Sequence, residues 1–318
     1  MGRLPAEEFV KKPQQFVIGK SKICDFASVQ EAINHCSSMV EPVTFLLLNG
    51  DYEENILLYQ SNQKFIGIGT VRIIGNKYAR QLDAAGREIG TFQTATVFIN
   101  AENIWIENVE IINNAGPGET VGQAVALYSE GDGIVLKNCV LKGYQDTICL
   151  GPLPAVQKDG SPFLTPKIKW EYPNKRIVFL HCYIEGTVDF IFGGGEGLFE
   201  NCELKSLKRQ NDEPGYITAA STPEGQKGLF FSACYLTAES NVEKVYLGRP
   251  WRPYARVTFS QCRMGSHIHP DRWDDWGRKE NRKTAAYKEI DNVYEQKDRI
   301  KKPDWIQIES KQEGEKRT

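Results

Sequence analysis

The sequence predicts an all-β chain of 318 residues folded as one right-handed parallel β-helix, a solenoid closed at its N-terminal end by a short helix. Three observations lead there. A six-residue strand motif recurs at irregular spacing, hairpin turns are missing where the motif is densest, and a helix-period segment precedes the first repeat.

The elements follow in chain order. Met1 to Glu8 is polar and holds no apolar h-region, and nowhere is an apolar run long enough to span a bilayer. As given, the chain is expected to be soluble and cytoplasmic; a trimmed secreted protein would look the same. The net charge of -2 supplies no global field for nucleic acid or a membrane surface, so neither is expected as a partner. Asp25 to Met39 reads as the capping helix, with Asp25 as N-cap and Val29, Ile33 and Cys36 at i, i+4 and i+7. It would cover strand edges that an open solenoid leaves bare.

The strand motif reads apolar, two residues, Cys, one residue, aliphatic. Its copies are Leu136-Lys137-Asn138-Cys139-Val140-Leu141, Phe179-Leu180-His181-Cys182-Tyr183-Ile184 and Phe199-Glu200-Asn201-Cys202-Glu203-Leu204, then Phe231-Ser232-Ala233-Cys234-Tyr235-Leu236 and Phe259-Ser260-Gln261-Cys262-Arg263-Met264. An earlier copy, from Ile106 to Ile111, carries Val109 in the cysteine slot. Spacings of roughly 20 to 40 residues fit coils of variable length with looped-out insertions. A β-sandwich would show two-residue turns between strands. Asp132-Gly133 and Asp159-Gly160 are the candidates, and none falls between Cys182 and Cys262. Equivalent positions of a β-helix stack in columns, so the repeated Cys reads as a buried column of reduced thiols and not as disulfides. The solenoid is expected over about 20–277, within a single domain spanning 1–318. A charged helical or irregular segment, 278–318, then packs along its outside.

Aligning the chain with itself isolates two carboxylates. Cys139-Val140-Leu141-Lys142-Gly143-Tyr144-Gln145-Asp146 matches Cys182-Tyr183-Ile184-Glu185-Gly186-Thr187-Val188-Asp189, with Asp seven places after Cys in both. If the cysteines stack, Asp146 and Asp189 stack too, about 4.8 Å apart. That requires the Pro-, Gly- and Lys-rich stretch from about Pro152 to Pro173 to leave the coil as a loop. Two such carboxyls cannot both stay charged at low cost. One moves toward the protonated form while a cation or hydrogen bonds hold the other ionised. An acid beside an anionic base or nucleophile suits acyl or glycosyl transfer. Repeated Asp residues in solenoids commonly cap turns. Here the neighbours are apolar (Thr147-Ile148, Phe190-Ile191-Phe192), where an idle carboxylate is costly.

Around these residues the sequence resembles the pectin methylesterases. The matching segments are Gly50-Asp51-Tyr52-Glu53-Glu54-Asn55-Ile56, Gln123-Ala124-Val125-Ala126-Leu127, Gly143-Tyr144-Gln145-Asp146-Thr147, Gly186-Thr187-Val188-Asp189-Phe190-Ile191-Phe192-Gly193 and Leu247-Gly248-Arg249-Pro250-Trp251, in family order across most of the chain. The resemblance implies hydrolysis of methyl esters of galacturonate units in pectin or pectic oligosaccharides, with release of methanol and no cofactor. It makes Asp189 the nucleophile and Asp146 first the general acid, then the base that activates water. Gln123 and Gln145 would donate to the oxyanion, Arg249 would hold Asp189 ionised, and Trp251 would stack on sugar. Tyr144, Phe190 and Trp276 are candidate subsite residues, with packing on the solenoid as the competing role for each. The expected partner is methyl-esterified galacturonan or its oligomers, acted on by a monomer.

Two departures from the family pattern stand out. The segment between the aspartates is longer by about one coil, so a loop from Leu153 to Lys175 is expected to overhang the cleft and favour short oligomers. After Tyr287-Lys288-Glu289 the usual glycine-rich ending is replaced by Val293-Tyr294-Glu295-Gln296. No metal site is expected, because His267 and His269 lack a third ligand nearby. On the residues alone, a lyase or glycoside hydrolase of the same architecture stays open, as does a carbohydrate-binding solenoid without catalysis.

Overall fold

The repeated motif folds as a strand, a corner and a second strand. In the computed structural model, which describes residues 14–301 and 303–310, the residue before each column position turns the corner in the left-handed region. These are Asn108, Asn138, His181, Asn201, Ala233 and Gln261, with φ between 50° and 58°. Asn adopts this conformation more readily than most side chains. The next residue, Val109 or a Cys, then points inward and is buried.

Corners of this kind wind the chain into three parallel sheets. The first runs from Gln14–Ile18 to Gln307–Glu309, the second from Glu110–Asn113 to Val293–Tyr294, and the third from Ile56–Leu58 to Val245–Gly248. The long strands Val43–Tyr52 and Gln63–Gly75 bend through the first corner and join the first two sheets. The result is the right-handed parallel β-helix expected from the sequence.

Stacking fixes the register of the core. The first residues of the last four motif copies build an internal ring ladder, Phe179, Phe199, Phe231 and Phe259, with centroids 4.5, 4.5 and 4.4 Å apart. Beside it, the thiols of Cys139, Cys182, Cys202, Cys234 and Cys262 each donate to a carbonyl one coil back, those of Ile106, Leu136, Phe179, Phe199 and Phe231, at 3.4–3.6 Å. All eight cysteines are free.

Two expectations are corrected, one at each end. The cap helix is Val29–His35, and its N-cap is Ser28, not Asp25. A carboxylate from the first coil, Glu54, accepts from Ser28 Oγ and from the N–H groups of Val29 and Gln30 at 2.7–2.9 Å, so the helix begins there. Asp25 instead accepts from the Val17 N–H at 2.7 Å. At the other end the ladder does not stop at 277. Ala286–Ile290 pairs with Arg256–Ser260 and with Gln307–Glu309, because Tyr287 alternates inward and stacks on Trp273 at 4.1 Å. The charged segment thus alternates short 3₁₀ turns with solenoid strands, and its last residues, 311–318, lie outside those described.

The long loop leaves the coil as required. Asp132–Lys137 pairs directly with Arg176–Leu180, and Ile148–Leu150 with Ile191–Gly193, so residues 152–175 enter no ladder. Asn100 stitches the loop to the body, accepting from the N–H groups of Lys169 and Trp170 and donating to the Trp170 carbonyl. Near its end Lys175 pairs with the buried Glu130 at 2.5 Å. No helix among the described residues is long and apolar enough to cross a membrane.

Candidate active site

Asp146 and Asp189 occupy the same position on successive coils. The bridge Gln145↔Val188 and the pair Ile148↔Ile191 flank them on both sides, which fixes the register between. Both are themselves corner residues, with φ of 66° and 49°, and are 9 % and 6 % exposed. The corner is tight: a Cβ on Gly186 would lie 2.3 Å from the Phe190 Cβ, so only glycine fits there.

Their surroundings separate the two carboxyls. Arg249 forks onto Asp189 alone, Nε donating to Oδ1 at 2.8 Å and Nη2 to Oδ2 at 2.7 Å. Burial, and then the neighbouring Asp189 charge, push the Asp146 carboxyl well above its ordinary range. Burial raises Asp189 as well, but the Arg249 charge and hydrogen bonds oppose that rise. The Arg249 fork thus favours ionisation of Asp189 over that of Asp146.

Arg249 is held as firmly as what it binds. Its guanidinium lies 3.8 Å over the Tyr216 ring and 3.9 Å from the Trp276 ring, a sandwich of two aromatic faces. Its N–H donates to the Thr218 carbonyl at 3.0 Å. Close approach here demands Gly248, where a Cβ would lie 2.0 Å from Thr218 Oγ1.

The pair opens into a cleft of about 440 Å³ whose lining includes Gln123, Gln145, Trp251, Trp276 and Phe192. Of the nine residues singled out from sequence, seven converge on it: Asp146, Asp189, Gln123, Gln145, Arg249, Trp251 and Trp276. Two do not. Phe190 is fully buried in the solenoid core, because the residue after the left-handed corner turns inward, and it offers no face to a sugar. Tyr144 precedes that corner and is half-buried outside the cleft lining. His267 and His269 are far apart in role: the first is buried and pushed down to about 4 by desolvation, the second stacks on Tyr246 at 4.3 Å.

Sequence reading missed Tyr216, Phe92 and Phe163. Tyr216 had a findable signal. Ile191 pairs with Thr218, so two residues earlier Tyr216 stands directly after Asp189 in the same column. Phe92, in a short 3₁₀ helix (Thr91–Thr94), and Phe163, in the long loop, meet edge-to-face at 5.3 Å, and no periodic pattern marks them. Phe163, with Gln157 and Leu164, brings the long loop into the cleft wall.

An aromatic-sided cleft on a parallel β-helix, floored by two unequal carboxyls, suits a carbohydrate-active β-helix hydrolase. A sequence model of the family described as Pectinesterase matches residues 15–151 and 172–318, and the chain belongs to that family. It is 31% identical over 274 residues to putative pectinesterase 14 of Arabidopsis thaliana, covering 83% of this chain and 73% of the relative. Pectinesterase 31 of the same plant is also 31% identical, over 282 residues, with 83% and 78% covered. Among solved structures, carrot pectin methylesterase superposes with a TM-score of 0.76 at 22% identity, covering 95% of this chain and 90% of that one. Pectin methylesterase from Yersinia enterocolitica superposes with 0.71 at 26% identity, covering 92% and 97%. The family match breaks off at the loop, 152–171, which is the insertion expected between the aspartates.

Proposed function

We propose that the chain hydrolyses methyl esters of galacturonate units through an acyl-enzyme on Asp189, acting as a monomer on short pectic oligosaccharides. The observation that carries this reading is the unequal pair, Asp189 forked by Arg249 beside Asp146, whose carboxyl burial and the Asp189 charge push well above its ordinary range. Each carboxylate oxygen keeps a lone pair beyond those taken by Arg249, so Asp189 can attack the ester carbonyl. The oxygen that becomes negative is met by the amides of Gln123 and Gln145, donors without added charge. Asp146 gives its proton to the departing methoxide, leaving methanol and a mixed anhydride between Asp189 and the galacturonate. The same Asp146, now ionised, takes a proton from water. The resulting hydroxide cleaves the anhydride and restores both groups.

Every group in this scheme comes from one chain, which supports action as a monomer. Short substrates are favoured by the insertion, which places Gln157, Phe163 and Leu164 along one side of the cleft. The test compares products from methyl-esterified pectin and from its oligomers. Methanol without chain cleavage is expected, faster per ester on oligomers. An unsaturated product would point to a lyase, new reducing ends to a glycoside hydrolase, and a faster rate on polymer would remove the length preference.

A further inference from the structure

Both amides that meet the oxyanion depend on one short segment. The one-turn helix Gly118–Val121 begins at Gly118, and Gln123 follows its last residue by two places. Gln145 comes from the next coil and packs against the start of that helix. A Cβ on Gly118 would lie 2.6 Å from Gln145 Oε1 and 2.7 Å from Gln145 Cβ. The bare glycine backbone is therefore the surface on which the Gln145 side chain rests. Gly118 is not among the left-handed residues, so space and not conformation calls for glycine. It is buried and lies outside the cleft lining, so it does not itself meet substrate.

Packing is what holds this amide. Main-chain bonds fix its root, the Gln145 carbonyl accepting from the Ala124 N–H at 3.1 Å beside the bridge Gln145↔Val188. Among the described residues no hydrogen bond ties its side chain. Oε1 faces Gly118, which turns the NH₂ group away with its donors unspent. The helix, by contrast, is clamped from two sides. Arg209 Nε donates to Glu119 Oε1 at 2.9 Å, both side chains being mostly buried. Arg209 is fixed in turn by the Pro214 carbonyl at 2.7 Å and by Glu213 at 3.1 Å. On the other side Arg80 Nη1 donates to the Thr120 carbonyl at 3.3 Å, and the Ala79 N–H to the Gln123 carbonyl at 2.8 Å. Between a clamped turn and an unbonded amide, the amide gives way first.

We propose that Gly118 is a positioning residue of the oxyanion site. The space left by its missing side chain, kept in place by the Arg209–Glu119 pair, seats the Gln145 amide where the ester oxygen becomes negative. This rests on the esterase reading of the aspartate pair. An oxyanion donor works by standing in position before charge develops, so a donor located by packing loses its value when the packing surface moves. The effect therefore falls on kcat and not on KM.

The test is a double-mutant cycle read by methanol release. Gln145→Gly removes every atom that the added methyl would meet, and is expected to lower kcat about 10²-fold. Gly118→Ala in the parent is expected to lower kcat about tenfold or more, with KM changed by less than about twofold. In the Gln145→Gly background the same Gly118→Ala change is expected to alter kcat by less than about twofold. Equal losses in both backgrounds, no loss in the parent, or a loss confined to KM each overturns the assignment. A second arm needs no turnover. In protein isotopically labelled at the glutamine nitrogens, the Gln145 side-chain resonance, identified by its absence in Gln145→Gly, is expected to shift in Gly118→Ala. An unmoved resonance overturns the positioning role. A moved resonance in a protein that releases no methanol from the ester leaves that role standing and overturns the esterase reading.

Discussion

Two corners of the same coils stack like groups on like groups, with opposite consequences. At one corner the left-handed residue faces outward and the next residue, Cys in five successive coils, drops into the interior. Thiols are neutral and small, and each finds a carbonyl one coil back, so the column can run on at little cost. At the other corner the left-handed residue is itself the aspartate. Burial raises both carboxyls, the Asp189 charge raises Asp146 further, and the column stops after two. It continues as Tyr216, then Tyr246, stacked at 5.3 Å, and Tyr216 carries the arginine that holds one of the pair ionised. One geometry therefore serves as packing where the repeated group is uncharged and as chemistry where it is charged.

The strongest attempt to break this contrast removes a carboxyl. Asp189→Ala and Asp146→Ala are each expected to lower methanol release by about 10³-fold or more, with an unchanged circular dichroism spectrum, because groups acting as a unit fail together. Full activity in either variant would mean that the aspartate corner is packing like the other. Next in size is Arg249→Lys. It keeps the charge but loses the fork onto both oxygens of Asp189 and the flat stack between Tyr216 and Trp276. A fall of about 10²-fold in kcat with KM little altered is expected. A loss confined to KM would instead assign Arg249 to substrate binding.

Stacking is also what made the site legible before any coordinates. Columns impose equal register, so two stretches of one pattern, each ending in Asp seven places after Cys, had to bring Asp146 and Asp189 together once the loop between them was set aside. The same logic exposes its limit. Phe190 follows Asp189 in a recognisable motif, yet the left-handed corner sends it into the core. Motif membership does not report which way a side chain faces. Phe163 rides on a loop that has no period, so its arrival at the cleft is a tertiary fact. The helix start moved from Asp25 to Ser28 for a similar reason, since Glu54, remote in sequence, caps it. Beyond Gly277 a charged composition concealed strands, because one inward Tyr287 per short strand suffices to continue the ladder.

Proton linkage sharpens the comparison at lower energy. Burial and Asp189 hold the Asp146 carboxyl above its unfolded value. The folded protein then keeps a proton that the unfolded chain releases, so the associated stability is complete below the unfolded carboxyl pKa. It is lost as pH rises through the folded one. Asp146→Asn removes that loss. Its Tm is expected to exceed the parent's by about 2 °C or more at alkaline pH, with the gap closing toward pH of about 4. The same sign governs the rate: methanol release falls on the alkaline side as Asp146 loses the proton it must donate. A Tm difference independent of pH would show that the two carboxyls do not share the raised proton.

The smallest effect on activity belongs to the thiol corner. Cys202→Val puts into the column the residue that fills the equivalent slot of an earlier copy, Val109, with one added methyl group and equal burial. The lost partner is one weak thiol bond to the Phe179 carbonyl at 3.4 Å, and the added methyl has to be accommodated in a packed column. Destabilisation of about 1–3 kcal/mol is expected by denaturant melting, with kcat unaltered. The unreduced, denatured parent should titrate with close to eight thiols, matching eight free cysteines. A tenfold loss of kcat at unchanged stability would carry chemistry into the thiol column. The two corners would then differ in degree and not in kind.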